Sequence, residues 1–352
     1  TDTDTDTDTD SDTDADPLPT VAVLATVADD YSAGLLTTVN LDTMAITDSI
    51  TAIPTDVGVS IDDGGVYVLG RYGSHTIRAY TPGSYAAPNW EVTAGKAANP
   101  YEAANCGGEL FVTRYGMNSL GVYDPASGLL SGTVDLSAYD DGDGIPEMAG
   151  MVETDGKLYV ALNQLDDDNG WVADGGKIVE VDCASKSVTA DWDVAPNPDI
   201  STWPGVGMVV TTGVYYTADY SDIEIDGALY SFAPDSGLGA ALWSEVDHDT
   251  NLTSAAMVDA THGVILTSGR DSYYTAWCYN AGAFTELFTT NSYVQGAEAV
   301  GDGTHVWLIA RPNWADSSSV GGVIVVDALT CTDATAGAWL KPTFSPYAVA
   351  FY

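Results

Sequence analysis

Residues 109–136 read ELFVTRYG (109–116), SLGVYDPASG (119–128) and LLSGTVDL (129–136). The run consists of an apolar strand, a polar turn, a second strand, a tight turn and a third strand. First strands of the same kind begin near Thr20, Val66, Glu109, Lys157, Val214, Val264 and Val306. Their spacing of 42 to 57 residues is typical of repeats that each form one four-stranded blade. The sequence therefore predicts an all-β fold, a seven-bladed β-propeller.

The two ends of the chain predict how the ring closes. Full units begin with an inner strand rich in small residues, such as residues 99–108 and 294–303, but the first unit has none before Thr20. The segment Ser345–Tyr352 (SPYAVAFY) resembles the start of another unit and then stops. We expect this C-terminal strand to complete the first blade, so that residues 18–352 form a single propeller.

Residues 1–17 form a separate, acidic low-complexity arm. Eight Asp residues alternate with Thr, Ser or Ala, so the arm has no means of burying a core. One interpretation is a solvated linker. The other is a self-assembly strand, because in an extended chain the alternation places Thr on one face and Asp on the other. The residues expected to pair with another subunit are Thr1, Asp2, Thr3, Asp4, Thr5, Asp6, Thr7 and Asp8.

The net charge of −41, from 51 acidic and 10 basic residues, excludes some classes of partner. Eight of the acidic residues lie in the arm, so the propeller alone still carries −33. Nucleic acid and anionic membrane surfaces are therefore poor partners, and cations are favoured. Adaptation to saline water would produce the same composition. The sequence contains no apolar run long enough to span a membrane.

Four cysteines fit an oxidising compartment. Three pairings are possible. Assignment of each cysteine to its blade favours Cys106–Cys183, between the third and fourth blades, and Cys278–Cys331, between the sixth and seventh.

The third unit, with LFVTRYG, LGVYDPASG and SGTVDL, resembles the YVTN-type repeat of secreted bacterial propellers. The fourth unit (LYVALNQ, IVEVDCASKSV) and the seventh (VWLIARP, VIVVDALT) match next best. The resemblance implies a propeller in an extracellular or bacterial cell-surface setting. The acidic arm also resembles the linker that follows the lipidated Cys of surface lipoproteins, which implies a lipid anchor in a precursor. Since members of such families serve as binding, scaffold or catalytic proteins, the fold does not determine the function.

Two acidic loops predict a calcium site. Tyr139–Met148 (YDDGDGIPEM) places carboxylates at alternate positions around a glycine turn, and residues 163–176 carry a second acidic run. Both loops should open on the same face of the propeller. The candidate Ca²⁺ ligands are Asp141, Asp143, Glu147, Asp166, Asp167 and Asp168. A plain solvated acidic turn is the alternative.

A candidate ligand face is predicted by arginines that follow corresponding strands in different blades. Arg residues are scarce here, so their recurrence indicates either salt bridges to acidic neighbours or a site for an anionic or aromatic ligand. We include an acidic residue at the same position of the fifth blade and an aromatic residue in the seventh. The set is Arg71, Arg114, Asp219, Arg270, Arg311 and Trp314.

Recognisable catalytic motifs are absent from the sequence. Glu147, Asn163, Asp219 and Glu298 would form a metal-dependent hydrolytic site only if the inner strands brought them together. The sequence therefore predicts a non-enzymatic extracellular structural or binding propeller, stabilised by Ca²⁺ and able to form filaments through its arm. Its partner would be another copy of itself or another cell-surface component. The alternatives are a monomeric surface lipoprotein that binds a ligand on its loop face, and a metal-dependent propeller hydrolase or lactonase.

Overall fold

A computed structural model describes residues 17–140, 142–166, 173, 175–217, 219, 221–314 and 316–352. Twenty-eight strands in this part of the chain, numbered β1 to β28 in chain order, form seven four-stranded antiparallel sheets. Each sheet is one blade. The chain is an all-β, seven-bladed propeller, as predicted.

The seven innermost strands are β4 (Val57–Asp62), β8 (Pro100–Cys106), β12 (Met148–Thr154), β16 (Asp199–Trp203), β20 (Asn251–Met257), β24 (Tyr293–Ala299) and β28 (Ser345–Phe351). The second strands are β1 (Val21–Val27), β5 (Gly65–Gly70), β9 (Glu109–Arg114), β13 (Lys157–Leu162), β17 (Gly207–Thr211), β21 (His262–Ser268) and β25 (His305–Arg311).

The third strands are β2 (Gly34–Asn40), β6 (Thr76–Tyr80), β10 (Ser119–Tyr123), β14 (Gly176–Asp182), β18 (Ala228–Ala233), β22 (Tyr274–Asn280) and β26 (Gly322–Asp327). The outermost strands are β3 (Ile46–Ile53), β7 (Trp90–Thr93), β11 (Leu130–Asp135), β15 (Ser187–Val194), β19 (Gly237–Ser244), β23 (Ala283–Thr290) and β27 (Thr332–Asp333). A 3₁₀ turn (Ser137–Tyr139) and a short helix α1 (Glu245–His248) lie between blades.

The first blade contains both ends of the described chain. β28 pairs antiparallel with β1, with Leu24 opposite Val349, and the sheet order is β28-β1-β2-β3. The backbone N–H groups of Thr20 and Val21 both donate to the carbonyl oxygen of Tyr352, at 2.7 and 2.9 Å. The ring is therefore closed by hydrogen bonds between chain ends more than 300 residues apart.

The core is divided among seven apolar clusters of the described residues, one between each pair of adjacent blades. The cluster that joins the first and seventh blades packs Leu24 and Val39 against Trp307 and Val325. The second strands are buried on both faces, which explains why their sequences are continuous apolar runs. The outermost strands instead alternate half-buried and exposed residues.

The prediction for the fifth blade was wrong in one element. The second strand is β17 (Gly207–Thr211), whereas the predicted strand at Val214 belongs to a connection in which Tyr215 and Tyr216 are exposed. Both runs favour strand formation, but only Met208–Val210 is buried between neighbouring blades. Burial therefore selects the earlier run.

No helix among the described residues is long and apolar enough to cross a membrane.

Candidate binding site in the central channel

The seven innermost strands surround a central channel with a cavity of about 810 Å³. Every one of these strands contributes residues to its wall, from Val57 in β4 to Phe351 in β28. This volume lies within the range of small-molecule sites in proteins. The channel is therefore a concave surface of suitable size to hold a ligand.

Three carboxylates project into the channel from alternate blades. Glu102 lies on β8 of the third blade, Asp199 on β16 of the fifth and Glu298 on β24 of the seventh. Asp199 and Glu298 are accessible to water from the channel, and Glu102 is partly accessible. Negative charge is thus distributed around the channel rather than concentrated on one wall.

The enclosure of the channel raises the pKa of all three groups. Desolvation raises the pKa of Glu102 to about 7, of Asp199 to about 6 and of Glu298 to about 8. The charges of Glu102 and Asp199 raise the pKa of Glu298 further. The three carboxylates therefore act on one another across the channel, and an added positive charge would stabilise their ionised forms.

Hydrogen bonds hold two of the carboxylates. The Ser60 hydroxyl donates to Glu102 Oε1 at 2.5 Å, and the backbone N–H groups of Ile200 and Gly150 donate to the Asp199 carboxylate. A Cβ at residue 150 would collide with Asp199 Oδ1, so the close approach requires glycine. Glu298 accepts no hydrogen bond from the described residues, and its carboxylate faces the channel with no donor.

Arg71 is the one cationic side chain among the described residues that line the channel. Its guanidinium carbon lies 4.2 Å from the centroid of the Tyr101 ring, and its Nε is 3.9 Å from Asp56 Oδ1. Tyr101 in turn stacks on Tyr115 with ring centroids 6.1 Å apart. Arg71 has its own carboxylate and its own aromatic partner, and its charge also partly offsets the rise in the pKa of Asp199. One arginine therefore faces three channel carboxylates.

Two hydrogen-bonded asparagines lie in the channel wall. Asn163 Nδ2 donates to Asn197 Oδ1 at 2.8 Å, and Asn197 Nδ2 donates to the Gly213 carbonyl oxygen at 2.9 Å. Asn163 is only 8% exposed, and its Oδ1 has no hydrogen-bond donor among the described residues. A buried carbonyl oxygen of this kind normally has a partner, so this acceptor is open to a ligand donor.

The residues of the predicted ligand face make different contacts. Arg114 is buried and donates to Ser119 and to the Ala94 carbonyl oxygen, so it fixes a turn within the third blade. Arg270 is an exposed bridge from the sixth blade, 2.9 Å from Asp222 and 2.6 Å from Asp249. Arg270 therefore has the salt-bridge role that the sequence offered as the alternative, whereas Arg114 donates to neutral groups.

The remaining members of that face differ in exposure and in contacts. Arg311 is 4% exposed and its guanidinium carbon lies 4.5 Å from the centroid of the Tyr31 ring and 5.2 Å from that of Tyr347. Asp219 accepts hydrogen bonds from Thr217 and Ser221 within its own exposed loop. Trp314 is 95% exposed. Of the predicted ligand-face residues, only Arg71 lines the channel.

The described parts of the two acidic loops predicted to bind calcium contact each other. Glu147 is fully buried and its Oε2 accepts the Leu165 N–H at 3.0 Å, while Gln164 Nε2 donates to the Tyr139 carbonyl oxygen at 2.8 Å. Asp143 Oδ1 accepts the Ile145 N–H at 2.9 Å within its own turn. The candidates Asp141, Asp167 and Asp168 lie outside the described residues, as do Thr1–Asp8 of the arm.

Within the described part of the chain, no three His, Cys, Asp or Glu side chains are grouped closely enough to hold a metal ion. The four residues considered for a hydrolytic site lie in three different places. Asn163 and Glu298 line the channel, Glu147 is buried beneath a loop, and Asp219 lies in its exposed loop.

A disulfide joins Cys106, at the end of β8, to Cys183, which follows β14 in the next blade. Cys278 and Cys331 are free thiols, in place of the expected second disulfide. Burial raises the pKa of the Cys278 thiol, and a hydrogen bond with Cys331 adds to the effect. Cys278 and Cys331 therefore lie close together, as their assignment to adjacent blades predicted, but no disulfide joins them.

Sequence reasoning missed Glu102, Asp199 and Tyr101. Each follows an Asn-Pro pair at the start of an innermost strand, in NPYE (99–102) and NPDI (197–200), and SPY (345–347) is the related start of β28. The residue after this proline lines the channel in all three strands. That recurring proline is the signal that would have located them.

No protein-family model matches the chain, and no curated protein matches it in sequence. Among solved structures, it is similar to a putative 6-phosphogluconolactonase from Bacteroides uniformis, with a TM-score of 0.64, 12% identity and coverage of 96% of this chain and 100% of that one. It is also similar to hydrazine synthase of Kuenenia stuttgartiensis, with a TM-score of 0.56, 14% identity and coverage of 88% and 96%. A chain of the mitotic checkpoint complex matches with a TM-score of 0.54, 13% identity and coverage of 82% and 83%. At these identities the similarities show the propeller fold alone.

Proposed function

We propose that this protein is a non-enzymatic extracellular or bacterial cell-surface propeller that binds a small ligand in its central channel. The observation that carries the proposal is the cavity of about 810 Å³, into which Glu102, Asp199 and Glu298 project with little opposing positive charge. Polar groups that converge on a water-accessible cavity are the usual mark of a binding site.

Two further features support the setting. The Cys106–Cys183 disulfide favours an oxidising compartment, where such bonds persist. The net charge of −41 favours a protein that stays dispersed in solution and attracts cationic partners. The YVTN-type character and the lipid anchor of a precursor remain part of this proposal.

Calcium and self-association complete the proposed function. Ca²⁺ would stabilise the loops 139–147 and 163–168, whose described residues Glu147 and Leu165 already form a hydrogen bond. The Thr-Asp arm would pair with the outer edge of a blade in another subunit and so form filaments.

Channel binding is tested by screening a library of small metabolites for an increase in melting temperature. Glu298→Trp fills the channel, and Glu286→Trp on the outermost strand β23 places the same substitution outside it. We expect at least one class of compound to stabilise the wild type and Glu286→Trp but not Glu298→Trp. Stabilisation that persists in Glu298→Trp would place the binding elsewhere and contradict the proposal.

The hydrolase alternative has a separate test. It predicts turnover of a lactone or ester substrate that a chelator abolishes and Ca²⁺ restores. We expect no such turnover from the purified protein, and chelator-sensitive turnover would replace the binding proposal with a catalytic one.

A further inference from the structure

We propose that the channel binds an elongated organic polycation, of which an aliphatic polyamine is the simplest member, through Glu102, Asp199 and Glu298. The inference rests on the proposed function, because it names the chemical class of the channel ligand.

The first support is the kind of polar group left without a partner in the channel. The Glu298 carboxylate is open to the channel and accepts no hydrogen bond from the described residues, and Asn163 Oδ1 is a buried acceptor without a donor. Asn163 lies in the wall of the same cavity as Glu298. Both groups accept hydrogen bonds, so a ligand that pairs with them carries N–H or O–H donors.

The second support is the electrostatic balance of the wall. Three carboxylates face one arginine, and Arg71 is already placed between the Tyr101 ring and Asp56. A ligand with positive charge would relieve the mutual repulsion that Glu102 and Asp199 exert on Glu298. An anionic ligand would increase it.

The third support is the spacing of the carboxylates. They come from the third, fifth and seventh blades and so lie on separate parts of the channel wall. No three acidic side chains of the described residues converge closely enough to surround one metal ion. A flexible chain with two or three ammonium groups can pair with carboxylates that lie apart, because each ammonium group hydrogen-bonds to its own carboxylate at about 2.8 Å.

The fourth support is aromatic. Tyr101, Tyr215 and Tyr347 all line the channel. The position of Arg71 over Tyr101 at 4.2 Å shows that a cation is accommodated against one of these rings. The methylene groups of a polyamine would pack on such rings while its ammonium groups reach the carboxylates.

The test is calorimetric titration of the full chain with spermidine in about 0.15 M NaCl, which screens the exposed surface charge. Glu298→Gln removes one channel carboxylate, and Glu286→Gln removes one carboxylate from the exposed strand β23. Glu298 accepts no hydrogen bond from the described residues, so its substitution should leave the fold intact, as circular dichroism would verify. We expect Glu298→Gln to weaken spermidine binding roughly 10- to 100-fold and Glu286→Gln to leave it unchanged.

Two comparison ligands sharpen the experiment. 1,8-Octanediol has a similar chain without positive charge, and Ca²⁺ has charge without a chain. We expect neither to compete with spermidine in the channel. Equal weakening by both Gln variants, or no binding of spermidine by the wild type, would overturn the inference.

The failure of this inference differs from the failure of the proposed function. If spermidine does not bind but a neutral or anionic metabolite stabilises the wild type and not Glu298→Trp, the channel binds ligands and only the ligand class is wrong. If no compound stabilises the wild type without also stabilising Glu298→Trp, both proposals fail.

Discussion

The Asp199 carboxylate of the fifth blade occupies the space beside Gly150 of the fourth blade, where any Cβ would collide with Oδ1. The Gly150 N–H donates to that same carboxylate. One glycine thus allows the approach and also supplies a hydrogen bond, so the position of the Asp199 charge depends on a residue in another blade.

Substitution of Gly150 should move the Asp199 carboxylate. We expect Gly150→Ala to displace Asp199 and to weaken spermidine binding several-fold, about 1 kcal/mol, because one charge-assisted hydrogen bond is lost. The measurement is calorimetric titration. Gly132→Ala on the outer strand β11, where an added Cβ meets nothing, is the matched control and should bind normally. Unchanged binding by Gly150→Ala would show that Asp199 does not contact the ligand.

The stability of the ligand-free protein should fall as pH rises from about 5 to 8. The folded-state pKa is about 7 for Glu102 and Glu245 and about 8 for Glu298, above the ordinary value of 4.5. The folded protein therefore binds more protons than the unfolded chain in this window, and the free energy of unfolding decreases with pH. Asp259, with a pKa lowered to about 2, changes the free energy of unfolding only at more acidic pH.

Urea unfolding at pH 5, 6.5 and 8 measures this dependence. Glu102→Gln combined with Glu298→Gln should flatten the profile, because it removes two of the groups that take up protons on folding. A free energy of unfolding that rises between pH 5 and 8 would contradict the assignment of raised pKa values.

Loss of the Cys106–Cys183 disulfide should lower stability. The bond closes a sequence separation of 77 residues, for which the chain-entropy relation gives about 4.5 kcal/mol. We expect Cys106→Ser with Cys183→Ser to lower the free energy of unfolding by up to that amount in denaturant titrations. Cys331→Ser, which removes a half-buried free thiol, is the comparison and should cost much less. Equal losses in the two proteins would mean that the bond is not formed in solution.

Calcium should raise the melting temperature if the paired acidic loops bind it. Asp143→Asn keeps the oxygen that accepts the Ile145 N–H but removes the charge, so it should abolish the rise without unfolding the turn. Asp124→Asn, an exposed aspartate in the β10–β11 turn, serves as the control. A calcium response that Asp143→Asn leaves intact would move the site to other carboxylates.

Removal of residues 1–16 should abolish self-association if the Thr-Asp arm is an assembly strand. The outer strands β3, β15, β19 and β23 each have eight residues and offer long edges, whereas β27 has only two. Negative-stain micrographs in Ca²⁺ should show filaments for the full chain and isolated discs for the truncated one. Filaments formed by the truncated chain would show that the arm is only a linker.

Much of the fold could be predicted from local sequence. The second strand of each blade is buried on both faces, so a run such as Val21–Val27 is apolar throughout and recurs at a regular interval. The fifth blade was the exception because two strand-forming runs lie side by side there, and only burial distinguishes Gly207–Thr211 from the run at Val214. Arg71 could be identified from the sequence for the same reason, because it directly follows one of these recurring second strands.

The channel could not be predicted in the same way. Glu102, Asp199 and Glu298 are separated in sequence by 97 and 99 residues, and no common motif surrounds all three, since an Asn-Pro pair precedes Glu102 and Asp199 but not Glu298. Sequence position alone does not reveal which face of an innermost strand a side chain occupies, because a shift of one residue would reverse it. The bulges in β8 and β24 shift the register in this way.

The repeat in the sequence was sufficient to specify strands, blades and their number, because β propensity and apolar spacing act over a few residues. The convergence of three carboxylates on one channel arises only when the ring closes. Closure depends on the pairing of β28 with β1 and on the packing of the seventh blade against the first, between residues more than 250 positions apart. The same enclosure raises the pKa of these groups, since the desolvation that causes the shift exists only inside the assembled ring.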